Sequence, residues 1–160
     1  DSATHYQVKM TEVPMVDGLT LGADYLEFSG VIGATDQAPE SGAYYATYAV
    51  GPAVIGYSKS FAALAMNSIA TEQVETVENT KYSIGINVND NLSISYEQED
   101  SEPKTQRQAT TQYTMESTGI QASYTMGGMT LGVAMNDHEN ASYTNNKDVK
   151  DTVFTVEMAF

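Results

Sequence analysis

The sequence predicts an all-β chain folded as a transmembrane antiparallel β-barrel, and three observations carry that expectation. The chain ends in Phe154-Thr155-Val156-Glu157-Met158-Ala159-Phe160, where large apolar residues alternate with small or polar ones up to a terminal aromatic. Period-two alternation describes a strand with one apolar and one polar face, and a soluble sandwich rarely stops its last strand on an exposed phenylalanine. Further alternating runs are joined by tight-turn signals at Asp17-Gly18, Gly51-Pro52, Asn89-Asp90-Asn91 and Gly127-Gly128, residues that supply a positive or preset φ at low steric cost. Between these hairpins lie long hydrophilic connections, about 29–42, 64–79, 99–108 and 137–151. Bacterial outer-membrane barrels show this alternation of tight turns at one rim and long loops at the other.

Nine strands follow in order, near 5–16, 19–28, 43–50, 53–62, 80–88, 92–98, 113–126, 129–136 and 152–160. In the first, Glu12 interrupts the apolar parity of Val8, Met10, Pro14 and Val16, whereas Leu19, Leu21, Ala23 and Tyr25 mark the second clearly. Around Gly51-Pro52, Tyr44, Ala46, Tyr48 and Val50 face Ala53, Ile55, Tyr57 and Lys59. A lipid-facing lysine near the membrane midplane costs roughly 2 to 4 kcal/mol, so a bulge there, an interfacial position or a subunit contact is expected of Lys59. The next hairpin sets Tyr82, Ile84, Ile86 and Val88 against Leu92, Ile94 and Tyr96. Across Gly127-Gly128, Met126, Tyr124, Ala122 and Ile120 match Met129, Leu131, Val133 and Met135, with Met126 opposite Met129.

A single-chain antiparallel barrel has an even number of strands and no free edge. Nine strands therefore imply that residues 1–160 are one segment of a larger barrel, or that the count is off by one. The chain starts at Asp1 with no basic-then-apolar leader, which reads as a processed or truncated sequence.

Composition narrows the chemistry. The length suits a single domain, and 41% hydrophobic residues fit either a soluble or a membrane class. Without cysteine there are no disulfides or thiolate sites, and His5 and His138 are the two imidazoles available. A net charge of −14 repels nucleic acid. No run approaches the roughly 18 to 20 apolar residues of a transmembrane helix, although alternating strands closed into a cylinder can still span lipid.

The terminal strand, the Gly127-Gly128 hairpin and the acidic loops together resemble the C-terminal part of a Gram-negative general porin of alphaproteobacterial type. The residues that carry this resemblance are Thr118-Gly119-Ile120-Gln121-Ala122-Ser123-Tyr124, followed by Met129-Thr130-Leu131-Gly132-Val133-Ala134 and Asn136-Asp137. The resemblance implies a barrel of about sixteen strands, a homotrimer, and an inward-folded constriction loop contributed by the first half. It also implies contact with outer-membrane lipids and lipopolysaccharide, and it makes Phe160 similar to the terminal aromatic read by the barrel-assembly machinery.

On the polar parity, Lys9, Asp24, Asn87, Ser95, Glu97, Gln121, Asn136 and Glu157 are the candidate pore wall. A polar lumen holds water through which ions and small hydrophilic solutes diffuse, and its acidic excess implies mild cation preference. The alternative for each position is the solvated face of a sandwich. Glu99, Asp100 and Glu102 lie with Glu97 in one acidic stretch, a solvated loop or a set of hard ligands for Ca2+. The solvated loop is the favoured account; resemblance to porins whose outer loops hold calcium adds a little weight to the metal reading, and no other cofactor is expected. Eleven tyrosines without tryptophan suggest two interfacial girdles, with Tyr48 and Tyr124 near tight turns and Tyr44, Tyr82 and Tyr96 near long loops. Ordinary strand propensity is the alternative.

His138 has neither a nucleophile elbow nor a zinc-spaced partner, so no enzymatic activity is expected. The functional expectation is a passive diffusion channel in the outer membrane of a Gram-negative bacterium. Its rivals are a non-conducting barrel serving as an adhesin or autotransporter-type anchor, and a soluble ligand-binding sandwich.

Overall fold

A computed structural model describes residues 2–11, 13–29, 37–63, 74–105 and 113–158. They form one antiparallel sheet of nine strands in sequence order: β1 (Ser2–Met10), β2 (Leu19–Ser29), β3 (Glu40–Val50), β4 (Ala53–Ala63), β5 (Val74–Asn87), β6 (Leu92–Thr105), β7 (Met115–Met126), β8 (Met129–Glu139) and β9 (Val149–Met158). Every pairing joins neighbours in the chain, so the topology is a meander. Connections 11–18, 51–52, 88–91 and 127–128 at one end of the sheet, three of them of two to four residues and the first of eight, alternate with connections of nine or ten residues at the other, 30–39, 64–73, 106–114 and 140–148.

The hairpin registers follow from the turn chemistry. Gly51 at φ 56° and Gly127 at φ 61° supply the left-handed residue of two-residue loops, bringing Val50 opposite Ala53 and Met126 opposite Met129. In the third hairpin, Asn89 Oδ1 accepts hydrogen bonds from the Asn91 and Leu92 amides, at 2.9 and 3.0 Å. Each hairpin then pairs as the alternation predicts, with Ile84 opposite Tyr96 and Ala122 opposite Val133.

The structure departs from the expected boundaries in a consistent direction. β1 stops at Met10 instead of running to Val16, because Pro14 has no N–H for a ladder and Met15 takes φ 70° in a turn closed by the Val16 amide on Val13. At the opposite end of the sheet, β5, β6, β8 and β9 extend well into segments expected to be loops. Polar and charged cross-strand pairs carry these extensions: Lys81 opposite Glu99, Thr76 opposite Lys104, Asp137 opposite Lys150. Between β5 and β6 the register slips once, at Val74/Thr76.

The described strands do not close. β1 and β9 each have one neighbour, and with nine antiparallel strands these two edges run in the same direction, so direct pairing would be parallel. Nor do the described residues form a second layer. Among the described residues the buried hydrophobic positions are Ala63 and Ala141, and no large side chain is fully buried.

Candidate functional site

Residues directly opposite one another in a ladder share a face, so the registers assign every side chain. One face carries most of the large apolar residues, including Val8, Leu21, Val50, Ile55, Ile86, Ile94, Leu131 and Phe154, and they are exposed, up to 77% for Phe154. Such a continuous uncovered apolar face is far larger than soluble monomers present to water.

On this face the apolar run of each of the first six strands ends, on its long-loop side, in a tyrosine. These are Tyr6, Tyr25, Tyr44, Tyr57, Tyr82 and Tyr96. Ring centroids lie 5.3 Å apart for Tyr57 and Tyr82 and 6.3 Å for Tyr44 and Tyr57. Tyr48 and Tyr124 lie one position in from their turns, so the described residues display one aromatic line at the long-loop end rather than two girdles.

Beyond the tyrosines the same face turns charged. Lys59 follows Tyr57 in an unbroken register, which rules out a bulge, and its Nζ lies 3.8 Å from Glu78. Glu40 accepts the Tyr25 hydroxyl at 2.6 Å. Glu102 pairs with Lys104 at 2.6 Å, and Asp137 pairs with Lys150; each carboxylate holds its lysine above the ordinary ammonium range.

All eight residues expected to form a polar wall fall on the opposite face: Lys9, Asp24, Asn87, Ser95, Glu97, Gln121, Asn136 and Glu157. This face of β4–β9 borders a hollow of about 470 Å³ lined by Asn87, Ser95, Gln121 and Glu157 among others. The eight do not form one cluster. Lys9 and Asp24 lie on β1 and β2, far across the sheet, and Glu157 lies near the tight turns opposite Thr130.

A denser charged group forms at the long-loop end of the polar face. Lys81 Nζ lies 3.4 Å from both Glu97 and Glu99. One strand further on, the His138 ring bridges β7 and β9, with Nδ1 2.8 Å from Ser117 Oγ and Nε2 3.7 Å from Asp151, whose second oxygen accepts from Asn136 at 2.9 Å. Lys81, Asp151 and Ser117 were not read as wall residues from sequence. Lys81 and Ser117 lie inside the expected strands 80–88 and 113–126, on the parity that assigned Glu97 and Gln121, so that parity alone finds them, and Asp151 follows once β9 is extended back to Val149.

Tyr45 was also missed. Its ring lies over Gly22 on the polar face, in space that a Cβ at Gly22 would occupy.

The three residues considered for calcium are not brought together. They belong to β6 rather than a loop, and alternation puts Glu99 on the polar face beside Lys81 while Asp100 and Glu102 point to the apolar side. Phe160 lies outside the described residues. Compared with protein-family models and with curated proteins, the chain matches none.

Proposed function

We propose that this sheet is the wall of a porin in the outer membrane of a Gram-negative bacterium, a water-filled channel through which ions and small hydrophilic solutes diffuse without a chemical step. The observation that carries the reading is the aromatic line on the uncovered face. An apolar zone on every strand, limited by a tyrosine on each of six successive strands and then by charge, is what a hydrocarbon layer with a polar boundary selects. Hydrocarbon outside requires the polar face, with Glu97, Gln121 and Asn136, to be inside.

Lipid offers no partner for free backbone groups, so the edges of β1 and β9 must be paired. Because these edges run in the same direction, an odd number of additional antiparallel strands completes the cylinder. A second copy of these nine strands in the same membrane orientation would leave parallel seams. The larger barrel proposed here therefore differs from a dimer of this sheet.

Planar-bilayer recording on the detergent-extracted protein tests the reading. Stepwise open-channel currents with mild cation preference are expected. Electrically silent membranes would favour a non-conducting anchor, and solubility without detergent would remove the membrane reading altogether.

A further inference from the structure

The connection from β8 to β9 does not simply span the gap between neighbouring strands. Four non-glycine residues in it adopt left-handed backbone, Asn140 (φ 52°), Ser142 (φ 58°), Tyr143 (φ 59°) and Asn146 (φ 54°). Asparagine takes this conformation comparatively readily, but it is sterically unfavourable for Ser142 and Tyr143 and persists there where surrounding contacts impose it. The imposing contacts are present. The Asn140 side chain donates to the Thr114 carbonyl and accepts from the Asn146 amide, both at 3.1 Å, and the Ala141 amide donates to the Lys147 carbonyl at 2.6 Å.

This turn carries Tyr143 to an anchor two strands away. Its hydroxyl lies 3.0 Å from Ser101 Oγ on β6, and Ser101 is 3% exposed. Ser101 shares its parity with Ser95, Glu97 and Glu99, so it belongs to the polar face. Met115 is opposite Ser101, and Glu116 is opposite Glu139, which puts the start of the connection level with Ser101. To reach Ser101 from the end of β8, the chain must therefore fold back across β7 on the polar side of the sheet.

Resting on the channel reading above, we infer that the β8–β9 connection is an inward-folded strap, latched by Tyr143 on Ser101, that narrows the long-loop mouth and restricts the solutes that enter there. A connection directed away from the sheet would not bring Tyr143 onto a polar-face residue of β6. The latch lies beside the Lys81, Glu97 and Glu99 group, so size and charge are selected at one level.

The test compares native protein with Tyr143→Ala and the milder Tyr143→Phe, using single-channel conductance and the largest neutral sugar oligomer that enters proteoliposomes. Tyr143→Ala is expected to raise conductance and shift the cut-off to longer oligomers, with a smaller shift for Tyr143→Phe, which keeps the ring. Because the chain has no cysteine, Ser101→Cys with Tyr143→Cys can be joined by a thiol-reactive bifunctional reagent about as long as the tyrosine side chain it replaces, the two positions being too far apart for a disulfide. Cross-linked, this variant should conduct as native protein does, and without the reagent it should behave as Tyr143→Ala does. Channels of native conductance and cut-off in Tyr143→Ala would overturn the strap and leave the pore standing. Native protein that forms no channel would overturn the pore reading first.

Discussion

Tyr6 on β1 and Tyr96 on β6 end the apolar runs of their strands, yet they do not lie in one hydrogen-bonded row. The row through Tyr96 passes Ile84, Ile55 and Tyr48 to Leu19, six residues before Tyr25, the partner of Tyr6. The aromatic line thus drifts six residues along the strands over five strand intervals. At the tight-turn limit, Leu19 opens the apolar run of β2 and is level with Met135, which ends that of β8, six residues from Met129 across six intervals.

Hydrogen-bonded rows run perpendicular to the strands, so a membrane boundary that crosses them obliquely reports strand tilt. With a rise of about 3.4 Å per residue and a spacing of about 4.8 Å, the two limits give tilts of about 40° and about 35°, within the range of membrane barrels. Polarised infrared dichroism of oriented bilayers should return this tilt. Strands aligned with the membrane normal would contradict it.

The two faces make opposite predictions for adjacent residues. Ile94 lies mid-run on the apolar face between Ile86 and Ala122, while Ser95 lies on the polar face between Gly85 and Gln121. Ile94→Arg should destabilise the membrane-inserted protein by about 2–4 kcal/mol, read as a lower denaturant midpoint in lipid vesicles. Ser95→Arg should leave the midpoint close to native and reduce cation preference. Equal losses from the two substitutions would show that the faces are not differently solvated.

How much of this was legible in the sequence depended on where apolar side chains alternate. The hairpins at Gly51, Asn89 and Gly127 have their apolar residues on one parity up to the turn, so pairs such as Met126 with Met129 could be assigned without coordinates. Beyond the tyrosines apolar residues become sparse and fall on both faces, as Phe28 and Phe61 do, so the alternation disappears and residues such as Asp100 and Asp151 read as loop although they lie in ladders. The distinction between Glu99 and Asp100 disappeared with it, since a loop reading lets both carboxylates converge and a strand reading separates them. Contact between Tyr143 and Ser101 had no local signal at all, because the two are 42 residues apart and the left-handed residues joining them are asparagine, serine and tyrosine rather than glycine.

The first hairpin offers a test at the turn itself. Gly18 has φ 81°, and a Cβ there would overlap the Ala49 carbonyl oxygen, part of the backbone that pairs β3 with β2. Left-handed backbone alone costs an L-residue about 1–2 kcal/mol, and a backbone oxygen cannot rotate out of the way as a side chain would. Gly18→Ala should lower the unfolding midpoint by more than Gly127→Ala, where a Cβ at φ 61° meets nothing within 4 Å. The comparison separates the dihedral cost, common to both, from the overlap present only at Gly18. Identical midpoints for the two variants would mean that the β2–β3 approach relaxes freely.

Lys81 decides the sign of the charged group at the long-loop end. It lies between Glu97 and Glu99, its side chain about a third exposed, and it is the one cation bonded to these carboxylates among the described residues. Charge on a water-filled wall biases which ion is concentrated nearby. Lys81→Gln should therefore shift the reversal potential in a KCl gradient toward greater cation selectivity, while Glu97→Gln or Glu99→Gln should shift it the other way. At 1 M salt the screening length falls to about 3 Å, so the separation between variants should shrink there and widen at low salt. If Lys81→Gln left the reversal potential unchanged at low salt, the permeating ions would not pass this face, and the lumen would have to be sought on the other side of the sheet.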